Sequence, residues 1–559
     1  MKVIIIGGVA GGASAAARLR RLNENVEIVM FEKGDYISFA NCGLPYYIGE
    51  VIEEREKLLV QTPLSMKKRF NIDVRVNSEV INIDSKNKVV EVLNNGEVYS
   101  ENYDYIILSP GADPIIPKIS TNIDDRIFTV RNVEDVDNIK SAIENIKPKT
   151  VAIVGAGFIG IEMAENLLNL GLETTIIQGS DQIMNPFDKE MAFMIQEKME
   201  KKGIKFILNE KVDEIKGEEK LYIKLKSETI NPDMIILAIG VKPCVEIAKK
   251  AGIKIGEKGG ILVDETLKTS NKYIYAVGDA IEVNNEITNE KSIIPLAGPA
   301  NKQGRIVAEN ILGGNKKYKS TLGTSVIKVF DLVAASTGCN EKALEKSGIE
   351  YEKSYTHSAS HATYYPGSKP MCIKLLFEKK TGKILGAQIV GYKGVEKRLD
   401  VIATSIKANL TTWDLQELEL SYAPPFSSAK DPVNMAGYVA GNILEGKVKI
   451  KHWDSVDLND YLILDVRNKK ELESGYIESS INISVDELRE KLNLIPKNKK
   501  ILVYCKVGLR GYIACRILSQ NGFECYNLSG GYDIYKYFKC ANMIPKYNNI
   551  LDDIAIDKF

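Results

Sequence analysis

One repeated pattern limits the fold of this chain before any other feature. Residues 3–12 read VIIIGGVAGG and residues 151–160 read VAIVGAGFIG. Each is a short apolar run that breaks into glycines and continues as a helical stretch rich in alanine or leucine. A strand that enters a helix through glycines brings the backbone close to a pyrophosphate at the helix N-terminus. The second copy, Gly155-x-Gly157-x-x-Gly160, is a complete GxGxxG. In the first copy Val9 replaces the second glycine, but the next strand, VEIVMFE, ends at Glu32, where an acid can accept from a ribose hydroxyl. The strand after the second copy, TTIIQGS, carries Gln178 there, with no arginine beside it. Two dinucleotide-binding folds therefore share one chain, and the second leaves NADH and NADPH both open.

The rest of the composition narrows the function classes. At 559 residues the chain has room for about four domains. Lys plus Arg total 74 and Asp plus Glu total 74. That balance excludes a broad polyanion-binding surface, so no nucleic-acid partner is expected. No apolar run approaches the roughly 18 residues of a membrane span. Residues 3–6 start a strand after a single lysine, without the apolar segment of a signal peptide. Eight cysteines at irregular spacing, with no CxxC, make neither a disulfide scaffold nor a structural zinc site. A cytoplasmic chain with no metal and no membrane partner is the expectation. Only His357, His361 and His452 are histidines, which disfavours any mechanism needing several.

Strands and helices alternate through about residue 300, the texture of parallel sheets covered on both faces. YIILSPG (105–111) and MIILAIG (234–240) are buried-strand runs ending at glycine, and YIYAVGD (273–279) ends at Asp279. From about residue 322 the pattern becomes antiparallel. TSVIKVFDLVAAST and MCIKLLFEKKTGKILGAQIVG read as hairpins, with Thr381 and Gly382 in a turn. Helices are predicted at about 393–408 and 431–444. The polar stretch 446–456 reads as a linker able to supply an edge strand. A compact α/β pattern follows. It runs strand 462–466, helix, SINIS, helix, strand 501–505 and a helix from Arg510.

Two dinucleotide folds, together with the strand end AVGDA at Asp279, resemble the flavoprotein disulfide reductases that bind two dinucleotides. The resemblance covers about residues 1–445. It implies FAD on the first fold, held by the turn residues Gly7, Gly8, Val9, Ala10, Gly11 and Gly12. Glu32 and Lys33 would serve the ribose, and Gly278 and Asp279 the ribitol. Asn41, Cys42, Val80, Ser109, Gly111, Pro295, Leu296 and Ala297 would complete that site. It implies NAD(P)H on the second fold, at Gly155, Gly157, Phe158, Ile159, Gly160, Glu162, Gln178 and Gly240.

Family members with a redox disulfide carry CxxxxC. Here SFANCGLPYY has Cys42 alone, with tyrosine at position 47. This is similar to the single-cysteine branch, which contains coenzyme A disulfide reductases, NADH oxidases and peroxidases, and persulfide reductases. Oxidases and peroxidases of that branch carry a histidine in the first glycine turn. Ala10 stands there in this chain, which favours sulfur substrates. HATYYPG and SYAPPFSSAKDPVNMAG resemble the coenzyme A disulfide reductase signature, in which tyrosines reach the partner subunit's active site. That implies a homodimer and a proton-donating Tyr422 with Tyr364 or Tyr365. Arg18 and Arg21, three residues apart on one helix face, would line a coenzyme A channel with Ser38 and Asn41. Arg69, Asn301, Arg305, His361 and Lys430 are weaker candidates for the same channel.

VYCKVGLRGY resembles the active-site loop of a rhodanese, a sulfurtransferase with CxxxxR. Cys505 would carry sulfane sulfur, with Arg510 closing the loop. LILDVR, with Asp465 and Arg467, and NLSGGY match further positions, whereas Tyr476 stands where histidine is common. The expected organisation is a first FAD segment 1–110, an NAD(P)H domain 111–245, a second FAD segment 246–321, an α+β dimerisation domain 322–445, a linker 446–456, an α/β rhodanese domain 457–545 and a tail 546–559. The implied activity is NAD(P)H-dependent reduction of coenzyme A disulfide, coenzyme A persulfide or polysulfide at Cys42. An NAD(P)H oxidase with an accessory sulfurtransferase, or a sulfur carrier or redox sensor, are the alternatives.

Overall fold

Short runs of Val and Ile build the strands that carry both glycine turns. Val3, Ile4 and Ile5 are wholly buried, as is Ile153. Such residues, apolar on both faces, fit a parallel sheet covered by helices. The computed structural model describes residues 1–117, 124–217 and 219–543; the expected tail 546–559 lies outside the described residues. These residues form two compact units, Met1–Gly179 with Gly203–Gly323, and Ser180–Lys202 with the chain from Thr324 onward.

The first unit holds β1 (Lys2–Ile6), α1 (Ala10–Leu22), β2 (Glu27–Phe31), β3 (Asp73–Arg75), β4 (Tyr105–Leu108), β5 (Ile127–Phe128), β6 (Thr150–Val154), α2 (Phe158–Asn169), β7 (Glu173–Gln178), β8 (Lys205–Leu208), β9 (Met234–Leu237), β10 (Ile274–Ala276) and α3 (Ala297–Ile311). Its two main sheets repeat one design. The first has the order β3-β2-β1-β4-β10 and the second β8-β7-β6-β9-β5, with every pair parallel. Each also inserts a three-stranded antiparallel sheet, Ser78–Asp84 to Glu97–Asn102 between β3 and β4, and Val212–Gly217 to Thr229–Ile230 between β8 and β9. In both, a glycine turn leaves the central strand, so ligand-binding groups gather at the strands' carboxyl ends.

The second unit begins with an antiparallel sheet of β11 (Ser325–Val329), β12 (Leu332–Gly338), β13 (Tyr351–Ala359), β14 (Pro370–Glu378) and β15 (Ile384–Gly391), in the order β11-β12-β15-β14-β13. The predicted hairpin turn is there, with Gly382 at φ +69° between β14 and β15. The predicted helices are α4 (Val395–Lys407) and α5 (Pro432–Leu444). A parallel sheet follows, from β16 (Ile450–Lys451), β17 (Leu462–Asp465), β18 (Ile481–Asn482), β19 (Ile501–Tyr504) and β20 (Cys525–Leu528), with α6 (Leu509–Gln520) and α7 (Gly531–Met543). Its order is β16-β20-β19-β17-β18, so residues 450–451 of the expected linker supply an edge strand.

Two helices expected in this last region are absent. Only 3₁₀ turns form there, at Lys469–Ser474 and Leu492–Leu494. Gly475 at φ +104° and Ser479 at φ +65° stop the first, and Pro496 bounds the second. Helix Lys189–Lys201, from the segment expected to belong wholly with the second dinucleotide fold, groups with the second unit. Among the described residues no helix is long and apolar enough to cross a membrane.

Candidate active site

The two glycine turns are near-copies in three dimensions. A Cβ on Gly7 would lie 2.1 Å from Ser109 O, and one on Gly155 2.2 Å from Ala238 O. Cβ atoms on Gly12 and Gly160 would each lie 2.0 Å from the carbonyl of the turn's first glycine. Both first glycines have positive φ, +99° and +110°. Only glycine fits these positions. The strand ends match too. Glu32 accepts from Gly8 N–H at 2.9 Å, and Gln178 accepts from Ala156 N–H at 3.0 Å. Gly278, whose N–H donates to Gln303 Oε1 at 2.7 Å, opens the 3₁₀ turn carrying Asp279. Burial raises the Asp279 carboxyl above its ordinary pKa, and Arg131 partly opposes this.

Cys42 lies in the 3₁₀ turn Asn41–Gly43, ahead of the short helix Leu44–Ile48. Its side chain is exposed. The protein packed around its base, then the carboxylates of Glu162 and Asp279, push the thiol above its ordinary pKa. Glu162 accepts from Tyr46 OH at 3.1 Å, and its own burial raises it. The protein groups around Cys42 thus oppose thiolate formation rather than favour it.

A cleft of about 440 Å³ opens between α1 and α3. Those helices touch closely because Gly304 faces Gly11 O, 2.3 Å from where a Cβ would be. Of the residues expected in a coenzyme A channel, Arg18, Arg21, Ser38, Asn301 and Arg305 line this cleft. Arg18 is bonded to Glu309 at 2.8 Å, and its buried Nε has no partner. Asn41 and Arg69 are not in the cleft wall. His361 and Lys430 belong to the second unit. His361 is buried, bonded to Ser360 Oγ (3.1 Å) and Pro366 O (3.3 Å), with Tyr365 edge-on at 5.8 Å.

In the second unit the Tyr364 and Tyr422 hydroxyls meet at 2.8 Å on an exposed surface. Tyr365 makes no such bond, so the geometry separates the two candidates. Arg398, 1% exposed, sets up the pair. It donates to Ser360 O (2.9 Å), Ser427 Oγ (3.1 Å) and Asp431 (3.0 Å), joining the two tyrosine-bearing loops.

The Cys505 loop is built by backbone. Gly508, at φ +105°, donates its N–H to Cys505 Sγ at 3.1 Å. Tyr532 N–H holds Cys505 O at 2.8 Å. Arg510 forks onto Glu471 with two 2.6 Å bonds, which raise its own pKa, and its charge acts on the Cys505 sulfur. Buried Arg467 and Asp465 pair beneath, with bonds of 2.7 and 3.0 Å. His357 on β13 is near this loop; burial, then the Lys506 charge, push it down to about 4.

Residues 1–304 match the pyridine nucleotide-disulphide oxidoreductase family, 324–432 its dimerisation domain and 451–537 the rhodanese-like domain. The first match alone spans over half of the chain. This chain belongs to the pyridine nucleotide-disulphide oxidoreductase family. It is 39% identical over 442 residues to the coenzyme A disulfide reductase of Staphylococcus epidermidis, covering 78% of this chain and 99% of that one. The structure of reduced Bacillus anthracis CoADR-RHD superposes with TM-score 0.94 and 51% identity, over 96% of this chain and 98% of that one. An NAD-dependent persulfide reductase from A. fulgidus gives 0.91 and 38%, over 96% and 100%.

The family depends on FAD and NAD(P)H. The residues of this oxidoreductase suit both. A Cβ on Gly157 would meet nothing within 4 Å, leaving the turn's backbone open to a phosphate. Sequence reasoning missed Ser14, Val60, Gln61, Met66 and Phe70 in the cleft wall, and Arg398 and Glu471 behind the tyrosines and Arg510. Glu471 alone left a signal, as the N3 acid of a capping box at Asn468. Among the described residues one trio of acids, Asp188, Glu190 and Glu341, has metal-ligand spacing. The buried Lys374 ammonium sits among them instead, 2.8 Å from Asp188 and 2.5 Å from Glu190.

Proposed function

We propose that this oxidoreductase reduces the sulfur–sulfur bond of coenzyme A persulfide, coenzyme A disulfide or polysulfide at Cys42, and that Cys505 supplies sulfane sulfur. One observation carries the reading: an exposed lone thiol stands four residues after Ser38, which lies in the wall of an arginine-lined cleft. The cleft volume falls within the range of small-molecule sites, and arginine forks suit the phosphates of coenzyme A. Ala10, in place of histidine, and the names of the relatives support sulfur over oxygen as the acceptor.

When bound, FAD supplies Cys42 with the two electrons that NAD(P)H delivers as hydride. The Cys42 thiolate attacks the coenzyme A sulfur of the persulfide or disulfide, that sulfur–sulfur bond breaks, and hydrosulfide or a thiol leaves; the mixed disulfide formed on Cys42 then takes up the two electrons, which releases coenzyme A thiol and restores the Cys42 thiolate. The Tyr364–Tyr422 pair donates the proton that the departing sulfur takes up. In a homodimer, the pair of one subunit serves the Cys42 of the other. On the rhodanese-like domain, Gly508 N–H and Arg510 stabilise an anionic sulfur on Cys505. We assign the chain to the cytoplasm, where such thiols stay reduced.

The test is anaerobic oxidation of NADH and NADPH with coenzyme A disulfide, coenzyme A persulfide and polysulfide in parallel, beside an oxygen-only reaction. Turnover on a sulfur substrate well above the oxygen rate is expected. Equal rates on oxygen alone would overturn the assignment.

A further inference from the structure

The two dinucleotide folds share one design but differ where the adenosine ribose of a dinucleotide would lie. In the first, the residue bonded to the glycine turn is a carboxylate. Glu32 accepts from Gly8 N–H with one oxygen and from Gly34 N–H at 3.1 Å with the other. In the second, Gln178 makes the equivalent bond to Ala156 N–H with a neutral amide. A carboxylate there accepts from a 2′-hydroxyl and repels a 2′-phosphate. An amide does not repel it.

The next strand brings a cation to the same place. Glu210 N–H donates to Gln178 O at 3.2 Å, joining the ends of β7 and β8, and Lys211 follows. A Cβ on Gly179 would lie 3.5 Å from Lys211 Cγ, so this lysine fills the space that a longer side chain on residue 179 would take. Lys211 is exposed and has no ion-pair partner among the described residues. The neighbouring Glu210 carboxylate is held on Lys226 N–H at 3.2 Å. Gln178 removes the repulsion and Lys211 supplies the attraction.

We propose that Lys211, beside Gln178 and Gly179, receives the 2′-phosphate of NADPH, so that the second dinucleotide fold selects the 2′-phosphorylated coenzyme. The inference rests on the second fold being the NAD(P)H site. It requires nothing of Cys42 or of the sulfur substrate.

The test is calorimetric binding of 2′,5′-ADP and 5′-ADP to the FAD-loaded enzyme, which reads the subsite without turnover. In the unaltered protein 2′,5′-ADP should bind about tenfold more tightly, the scale of one charge-assisted contact. Lys211→Glu should abolish that preference, Lys211→Arg should keep it, and Gln178→Glu should reduce it. The ratio of kcat/KM for NADPH to that for NADH should fall in the same variants that lose the preference. Lys211 is on the surface, and retained flavin absorbance reports a folded enzyme. A preference that survives Lys211→Glu, or no preference in the unaltered protein, would overturn the proposal. If neither nucleotide binds, the NAD(P)H assignment of the whole fold fails, and this proposal with it.

Discussion

Cys42 and Cys505 are both sulfur nucleophiles in the proposed scheme, yet the protein surrounds them in opposite ways. The Cys42 side chain is exposed, but protein packed around its base, and then the carboxylates of Glu162 and Asp279, hold its thiol above the ordinary pKa. Cys505 is wholly buried, with a backbone N–H bonded to it and the Arg510 charge acting on it. The difference follows from the source of the stabilising charge. A rhodanese loop must stabilise its anionic sulfur with the chain alone. The reductase thiol can draw on bound FAD and on an incoming phosphorylated substrate, so its own residues need not do so.

The sharpest way to break the comparison is to remove one sulfur at a time. Cys505→Ser should lower persulfide-to-cyanide sulfur transfer by at least about a thousandfold, as loss of a nucleophile does. Its anaerobic reduction of coenzyme A disulfide should stay near the unaltered rate. A parallel fall in both would show that the two centres are not separable. Next in size, Glu471→Gln removes the anion that orients Arg510 through two 2.6 Å bonds. Sulfur transfer should fall about tenfold, within the range for a lost charge-assisted contact. A Glu471→Asp variant should recover part of that loss.

The smallest effect concerns the carboxylate field. Glu162 lies among the groups that raise the Cys42 thiol, so Glu162→Gln should lower the pKa of that thiol. The alkylation profile of Cys42 then moves to lower pH. At pH 7 the iodoacetamide rate should rise about threefold, in proportion to the thiolate fraction. An unchanged profile would mean that Glu162 does not set the Cys42 field.

What the sequence makes legible here is what lies close along the chain. Both glycine turns, Cys42 without a partner at position 47, and the Cys505-to-Arg510 loop are contiguous, and backbone geometry ties each to its chemistry. Convergence across distance is not legible. The cleft wall joins Arg18 and Arg21 to Val60, Gln61, Met66 and Phe70, a segment brought there partly by the bond of Val60 N–H to Ser38 O at 3.0 Å. Tyr364 and Tyr365 look equivalent in sequence, but it is Tyr364 that bonds to the Tyr422 hydroxyl. Arg398 appears as one more surface cation until burial shows it bracing both tyrosine loops. The two missing rhodanese helices show the limit of segment length as a signal. The stretches between the strands are long enough for helices, but Gly475 and Pro496 bound only short 3₁₀ segments there, Lys469–Ser474 and Leu492–Leu494.

The central claim is that electrons reach sulfur substrates through Cys42. The direct measurement is anaerobic NADPH oxidation by coenzyme A persulfide, comparing Cys42→Ser with the unaltered enzyme, FAD content matched. The account predicts a loss of at least about a thousandfold, with persulfide loading of Cys505 intact. A Cys42→Ser enzyme that keeps its full reductase rate would contradict the account and leave the flavoprotein only to set the redox state of the rhodanese-like domain.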